Sequence, residues 1–428
     1  MMILPEKEVI SQISSAMKRF EKVSDDNLLH MHQTKSYHHA AIMHAYYILT
    51  SLIYLAKPAL HPYYVSRWVQ YCLEHNVASK YVSASYTCFA AILCQLTDAN
   101  IRIGKRVGQL GLKLLNQSDS FMSELPLVHM LYYGYVGVLF EPIQSVIQMH
   151  YRAGEIGCQI GNLSLTALHK MFHYAREFWA GTNLLKMKTD LERDLKAEEY
   201  NQSFPFLGRK LNLHYQAVMI LIWDNHSPDL NDRSDGSLWD NEASCLITQM
   251  SCLVFLGHFE RVHYMGKRWE QKYEAHQSEQ LVYFRRMYAY FYYVLAALAI
   301  SRRKKKTKCS EIDRMISTVR NAANYSSWNF RNKALLLIAE KYSLTLENSH
   351  AEPTYADAIS AARASKFPHE EGLACELAAM HYERLNKVQQ AATLYHQAED
   401  CYRSWGSQMK VQKMQDKVTN LKNSYLNK

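Results

Sequence analysis

The chain has 428 residues, of which 48% are hydrophobic and 21% charged, and it contains only 15 glycines and 9 prolines. So few glycines and prolines exclude collagen-like and low-complexity chains, and so much apolar material excludes general disorder. The net charge is +9, but six basic residues lie within 302–308, so the rest of the chain is close to neutral.

The first long apolar segment lies between Lys35 and Lys57 and contains no Asp, Glu, Lys or Arg. Its length matches a membrane-spanning helix. However, His38, His39 and His44 would be costly to place in hydrocarbon. We therefore predict a buried helix of a helical repeat, and no membrane span.

Apolar residues recur at helical spacing through most of the chain. In Leu184–Tyr200 they stand at Leu184, Met187, Leu191 and Leu195, which is the period of one helix face. The same rhythm predicts helices at Val65–His75, Tyr81–Leu96, Ile143–Gly157, Leu163–Ala180, Ser244–Leu256 and Lys333–Leu346. Short polar breaks separate them, which is typical of antiparallel helix pairs.

Two longer polar breaks divide the chain. Asp224–Asp240 combines Asn, Asp, Ser, Pro and Gly and reads as a linker. A second break is predicted at Leu346–Thr354, which contains Pro353. The expected organisation is an N-terminal helical half (1–223), a polar linker (224–240), a C-terminal half (241–406) and a terminal helix (407–428).

The basic run has two interpretations. It consists of Arg302, Arg303, Lys304, Lys305, Lys306 and Lys308. Such a run marks a nuclear-localisation signal or a nucleic-acid patch, or it is a solvated loop between helices. We favour the loop, because no aromatic residue interleaves the run to stack on a base; nucleic acid is therefore an unlikely partner.

The clearest internal repeat lies in 371–405. Small residues and aromatic residues alternate there at spacings of three and four, as in tetratricopeptide (TPR) helix pairs, and Ala358 precedes Ala391 by about the length of one TPR unit. The expected repeat-packing residues are Ala378, Ala379, Tyr382, Ala391, Tyr395, Ala398, Tyr402, Trp405 and Gly406. The predicted fold class is all-α, a TPR-like antiparallel helix-pair solenoid.

The terminal helix, predicted at Ser407–Tyr425, also carries an apolar stripe. The stripe consists of Val411, Met414, Val418, Leu421 and Tyr425. Two heptads are too short to identify a coiled coil. We favour a cap over the last repeat, with oligomerisation through 411–425 as the alternative.

Motifs for catalysis are absent from the sequence. It has no phosphate-binding loop and no Gly-x-Gly-x-x-Gly, and Arg193–Lys196 lacks the partners of a kinase catalytic loop. His169 and His173 lack the glutamate of a zinc protease. Nine cysteines without a Cys-x-x-Cys favour a reducing compartment. We expect no enzyme, no cofactor and no metal.

A set of residues in 367–418 forms a pattern of its own: His369, Glu370, Glu371, Ala374, Glu376, Leu377, Ala378, Tyr382, Ala391, Tyr395, Ala398, Tyr402, Trp405, Gly406, Lys410 and Val411. Three blocks precede it in order, in Leu73–Ala90, in 157–181 and in Trp328–Glu340. Together they resemble the helical region of large signalling proteins that carry an AAA-type (STAND-like) ATPase after a serine/threonine kinase domain, often with GAF and histidine-kinase domains.

The resemblance implies a helical arm, and none of the family's catalytic residues has a counterpart here. The expected function is a non-catalytic scaffold or sensor arm in signal transduction. Its partner would be a protein or peptide, such as an ATPase or kinase domain in cis or trans. The alternatives are a fragment of a larger ATP-dependent kinase, a nucleic-acid-associated repeat protein using 302–308, or an enzyme with a pocket between helices. The expected location is cytoplasmic, or nuclear if 302–308 is a localisation signal.

Overall fold

The computed structural model describes residues 6–33, 35–96, 100–117, 119–196, 203–223, 243–275, 283–305 and 310–426. The predicted all-α class is confirmed, because these residues form twenty α-helices that pack mainly against their neighbours in sequence. Within them the one sheet is a two-residue parallel pairing of β1 (His32–Gln33) with β2 (Val77–Ala78). The linker predicted at 224–240 lies outside the described residues.

The helices are α1 (Glu6–Lys22), α2 (Asp25–Leu29), α3 (Tyr37–Ala56), α4 (His61–His75), α5 (Val82–Leu96), α6 (Ile101–Leu115), α7 (Leu125–Leu131), α8 (Ile143–Gln159), α9 (Leu163–Ala180), α10 (Leu184–Leu195), α11 (Pro205–Ile222), α12 (Ala243–Leu256), α13 (Phe259–Ala275), α14 (Tyr283–Arg303), α15 (Ser310–Tyr325), α16 (Ser327–Leu344), α17 (Asn348–Ala364), α18 (Pro368–Arg384), α19 (Val388–Trp405) and α20 (Gln408–Leu426). Short 3-10 turns occupy Pro58–Leu60, Asp119–Glu124 and Gly137–Leu139, and a π turn occupies Tyr132–Val136.

The described residues form two compact units. Unit 1 consists of the described residues within Met1–Val138 and Gln148–Lys170, together with Tyr283. Unit 2 consists of the described residues within Leu139–Ile147, Met171–Ala275 and Phe284–Lys428.

Unit 1 is built around the crossing of α5 and α6. Two glycines of α6 face α5 directly: a Cβ on Gly104 would lie 2.5 Å from Cys94 Sγ, and one on Gly111 would lie 2.7 Å from Thr87 Cγ2. Larger residues would force the helices apart. The glycines therefore allow α5, almost wholly buried, to pack closely against α6.

Unit 2 ends in a regular series of helices, α16 to α20. Each of the four turns between them contains one residue with left-handed backbone, and these residues stand at equal intervals along the chain: Leu346 (φ 66°), Lys366 (58°), Asn386 (57°) and Gly406 (92°). The next amide bonds each time to a carbonyl earlier in the closing helix, for example Lys387 N–H to Tyr382 (3.0 Å). This closes each helix with the same C-terminal hydrogen-bond pattern. One helix pair therefore occupies two of these equal intervals.

Two sequence predictions are corrected by this series. The repeat length inferred from the separation of Ala358 and Ala391 was wrong. A shift of about two helical turns leaves the spacing of small and aromatic residues unchanged, so the spacing alone did not reveal the error. Structurally equivalent residues of α17 and α19 are instead separated by two of the equal intervals. Ala351, Tyr355, Ala358 and Ala362 in α17 correspond to Ala391, Tyr395, Ala398 and Tyr402 in α19. All eight residues are buried. The break predicted at Leu346–Thr354 was also wrong for most of its length, because α17 begins at Asn348 and continues through Pro353.

Candidate interaction surface

Among the described residues, helix α3 of unit 1 is attached along one side. The His39 Nδ1 atom lies 2.6 Å from the Tyr71 hydroxyl of α4, and the Tyr47 ring meets the Trp68 ring edge-on at 6.4 Å. Met43 is fully buried and contacts the Cys72 thiol. These residues recur every three to four positions, so they hold one face of α3 against α4.

The opposite side of α3 is apolar and open to solvent. Ile48 and Leu49 are each 45% exposed, and Leu52 is 56% exposed. Ala41 and Ala45 are exposed on the same side. We call these five residues the α3 outer face. The spacing of 41, 45, 48 and 52 is that of a helix-packing seam.

The α3 outer face also lacks charge, since α3 contains no Asp, Glu, Lys or Arg. Isolated exposed apolar residues are ordinary on protein surfaces, whereas a contiguous apolar patch marks an interaction site. The sequence predicted a buried helix here. The face of α3 that contacts α4 agrees with that prediction, whereas the exposed outer face does not. No helix among the described residues is long and apolar enough to cross a membrane.

Unit 2 contains the repeat-packing residues predicted from sequence. Eight of the nine lie in α18 and α19, and Gly406 forms the turn that follows. Ala378, Ala379, Ala391, Tyr395, Ala398, Tyr402 and Trp405 are all buried, and Tyr382 is half-buried. The structure brings them together along the contact of one helix pair.

The apolar stripe of α20 is covered by the chain itself. Val411, Met414, Val418 and Leu421 are all buried, and α20 packs on α19 and α11. The Ser407 hydroxyl donates a hydrogen bond to the Leu221 carbonyl (2.5 Å). In this arrangement the stripe acts as a cap. The side chain of Tyr425 lies outside the described residues.

Two buried ion pairs of unit 2 were not found from sequence. Lys333 in α16 donates to Glu370 in α18 (2.8 Å), and Lys410 in α20 donates to Glu376 in α18 (2.5 Å). Burial lowers the pKa of Lys410 to about 8 and also lowers the pKa of Lys333. A signal was present, because Lys333 and Lys410 stand four residues before the buried Leu337 and Met414 and so share their helix face.

The buried charged groups of these two pairs also contact other groups of the chain. Lys410 also donates to the Phe255 carbonyl of α12 (3.2 Å), and Glu376 accepts the Tyr402 hydroxyl (2.6 Å). Lys333 lies 4.5 Å from the centre of the Tyr288 ring of α14. The buried charged groups Lys333, Glu370, Glu376 and Lys410 are thus paired within the chain itself.

The basic run 302–308 is only partly a free surface. Arg302 donates to Glu340 (2.9 Å), and Arg303 pairs with Glu260. Lys304 is exposed beside a cavity, and Lys305 lies in the turn after α14. Lys306 and Lys308 lie outside the described residues. Two of the four described cations therefore have carboxylate partners within the chain.

A cavity of about 180 Å³ lies between α13, α14 and α15 and includes His263, Ser301, Lys304 and Glu311 in its lining. Near Glu311, burial raises the pKa of Glu270 to about 7, and Arg314 donates to it (2.5 Å). The cavity is smaller than most ligand sites. The described residues contain no group of three or more His, Cys, Asp or Glu that could hold a metal ion.

The sequence matches no protein-family model, and no curated protein is significantly similar to it.

Proposed function

We propose that this chain is a non-catalytic helical-repeat scaffold that binds a protein partner through the α3 outer face. The observation that carries the proposal is an uncharged helix of 20 residues with Ile48, Leu49 and Leu52 about half exposed. Burying the exposed half of two such side chains contributes about 0.7–1.5 kcal/mol each. A partner helix that covers the face would therefore gain substantial affinity.

The wider assignment is a TPR-like solenoid that serves as an arm in signal transduction. Its support is the series α16–α20, in which helix pairs stack at a constant interval, as from Leu346 to Asn386. That interval is somewhat longer than a TPR unit of about 34 residues. The resemblance of 367–418 to the helical region of ATPase-containing kinases supports an ATPase or kinase domain, in cis or trans, as the partner.

The test compares the wild-type α3 outer face with a variant of it that carries two new negative charges. Wild-type chain and Ile48→Glu/Leu52→Glu are used to capture proteins from the source cell, and each captured ATPase or kinase is then purified and titrated. We expect the variant to bind at least about 100-fold more weakly, because the new carboxylates must be desolvated in an apolar contact.

Leu185→Glu, which adds one negative charge away from α3, is the control. Leu185 is an apolar residue of α10 that is 52% exposed, so its replacement should leave binding unchanged. Equal affinity of wild type and the α3 variant would show that the partner binds elsewhere. Loss of affinity in the control as well would show that added negative charge alone weakens binding.

A further inference from the structure

Helices α18 and α19 approach each other closely at Gly372. A Cβ atom on Gly372 would lie 3.2 Å from Cys401 Cβ and 2.8 Å from the Tyr402 ring. Only glycine leaves this space unfilled. The backbones are therefore closer here than two helices with larger residues would permit.

Two free cysteines face each other at this crossing. Cys375 stands one turn after Gly372 and is fully buried. Its Sγ atom lies 4.0 Å from Gln397 Oε1, and Gln397 stands one turn before Cys401 on α19. The Cys375 side chain is therefore near enough to interact with the Cys401 thiol. Cys401 is partly exposed, so one member of the pair can be reached from solvent.

The surroundings of the two thiols are charged. Arg363 of α17 interacts electrostatically with both, and its guanidinium donates to Glu371 (2.8 Å). The neighbouring Cys401 thiol and burial raise the pKa of Cys375. Cys375 is therefore a protonated thiol at neutral pH, and the partly exposed Cys401 is the member that an oxidant meets first.

We propose that Cys375 and Cys401 form a reversible disulfide that links α18 to α19 when the protein meets a peroxide. The Cys401 thiolate attacks one oxygen of hydrogen peroxide, the O–O bond breaks, hydroxide leaves and Cys401 becomes a sulfenic acid. The Cys375 sulfur then attacks the Cys401 sulfur, its proton leaves with the hydroxyl group as water, and the S–S bond forms. A dithiol reductant reverses the step by thiol exchange.

The bond would fix one helix pair of the repeat series. It would join residues 375 and 401 across the turn at Asn386, which restricts the unfolded chain and stabilises the folded pair. Disulfides in reducing compartments are usually transient and redox-sensing, which matches a bond that forms only on oxidation. This inference is independent of the α3 outer face.

The experiment uses the unmodified full chain. The reduced protein is treated with hydrogen peroxide until the exposed Cys158 is fully oxidised, then unfolded, alkylated with iodoacetamide and digested. We expect a peptide pair linked through Cys375 and Cys401 that is lighter than the two thiol peptides by two hydrogen atoms and is lost after dithiothreitol. The melting temperature should rise by about 3–6 °C on oxidation and return on reduction.

Two outcomes would overturn the proposal. One is that Cys375 and Cys401 remain alkylatable after Cys158 is fully oxidised, and the other is that Cys401 is over-oxidised without a linked peptide. Cys401→Ser must lose both the linked peptide and the reversible rise in melting temperature. Cys158→Ser must keep both, so a rise that persists in Cys401→Ser would also contradict the proposal.

Discussion

Helices α3 and α20 carry similar apolar stripes but treat them in opposite ways. On α20, Val411 and Met414 are at most 1% exposed, whereas on α3 Ile48 and Leu52 are 45% and 56% exposed. Both stripes follow the spacing of three and four that marks a helix-packing face. An apolar stripe therefore predicts that a helix face can pack against another element. It does not indicate whether that element belongs to the same chain.

The two helices also differ in charge. Beside the α20 stripe lies a buried lysine, Lys410, whose carboxylate partner Glu376 comes from α18. Helix α3 has no charged residue and uses a histidine–tyrosine contact, His39 with Tyr71, on its attached side. A buried charge fixes α20 to one partner and one register, because a shift would leave the charge unpaired. An uncharged face imposes no such restriction on what covers it.

The largest expected effect tests this comparison directly. Val418→Asp/Leu421→Asp should lower the free energy of unfolding by at least about 4 kcal/mol, because both positions are buried and would hold carboxylates. Ile48→Asp/Leu52→Asp in α3 should cost under about 1 kcal/mol. Urea unfolding followed by circular dichroism measures both.

Light scattering accompanies that measurement. The mass of wild type and of the α20 variant should be equal under native conditions, as a cap requires. A drop in oligomer mass without loss of stability would instead identify α20 as a pairing seam. Equal loss of stability in the α3 variant would contradict the exposure of the α3 outer face.

A somewhat smaller effect is expected from the charge pair beneath α20. Glu376→Ala removes the acceptor of both Lys410 and Tyr402, and a buried unpaired charge typically costs about 3–5 kcal/mol. The control is Glu352→Ala, which removes a more exposed partner of Lys387 and should cost under about 1 kcal/mol. Similar midpoints for the two variants in urea would show that the Lys410 pair is not buried in solution.

The smallest effect concerns the unit that carries α3. His169 is fully buried, its Nε2 atom lies 2.8 Å from the Pro126 carbonyl, and burial lowers its pKa to about 4. The unfolded chain therefore binds a proton below pH 6.5 that the folded chain resists, so stability falls as pH drops from 6.5 towards 4. At pH 5 this proton uptake lowers the free energy of unfolding by about 2 kcal/mol.

Hydrogen exchange at pH 7 and pH 5, corrected for intrinsic rates, measures that loss in α8 and α9. His169→Gln keeps a polar group but cannot titrate, so its protection should depend less on pH than that of wild type. An identical pH dependence in both proteins would show that His169 does not contribute to the acid sensitivity of unit 1.

The sequence by itself determined the helices and much of the repeat packing. Apolar spacing predicted α9 (Leu163–Ala180) at its observed bounds and α20 within one residue at each end. These are local properties, since periodicity and helix-ending signals act within a few residues. The repeat length was misjudged because a slip of two helical turns preserves the same spacing. The role of Pro353 was misjudged because packing of α17 overrides its local preference.

Only the tertiary structure decided which faces are covered and which charges are paired. Lys410 meets a carboxylate 34 residues away, and Ser407 meets a carbonyl 186 residues away. Arg302 and Arg303 belong to a run that suggests a basic patch, yet their carboxylate partners lie 38 and 43 residues away. A helix pattern specifies that an apolar or charged face exists. The partner depends on the long-range packing of helices, which local spacing does not encode.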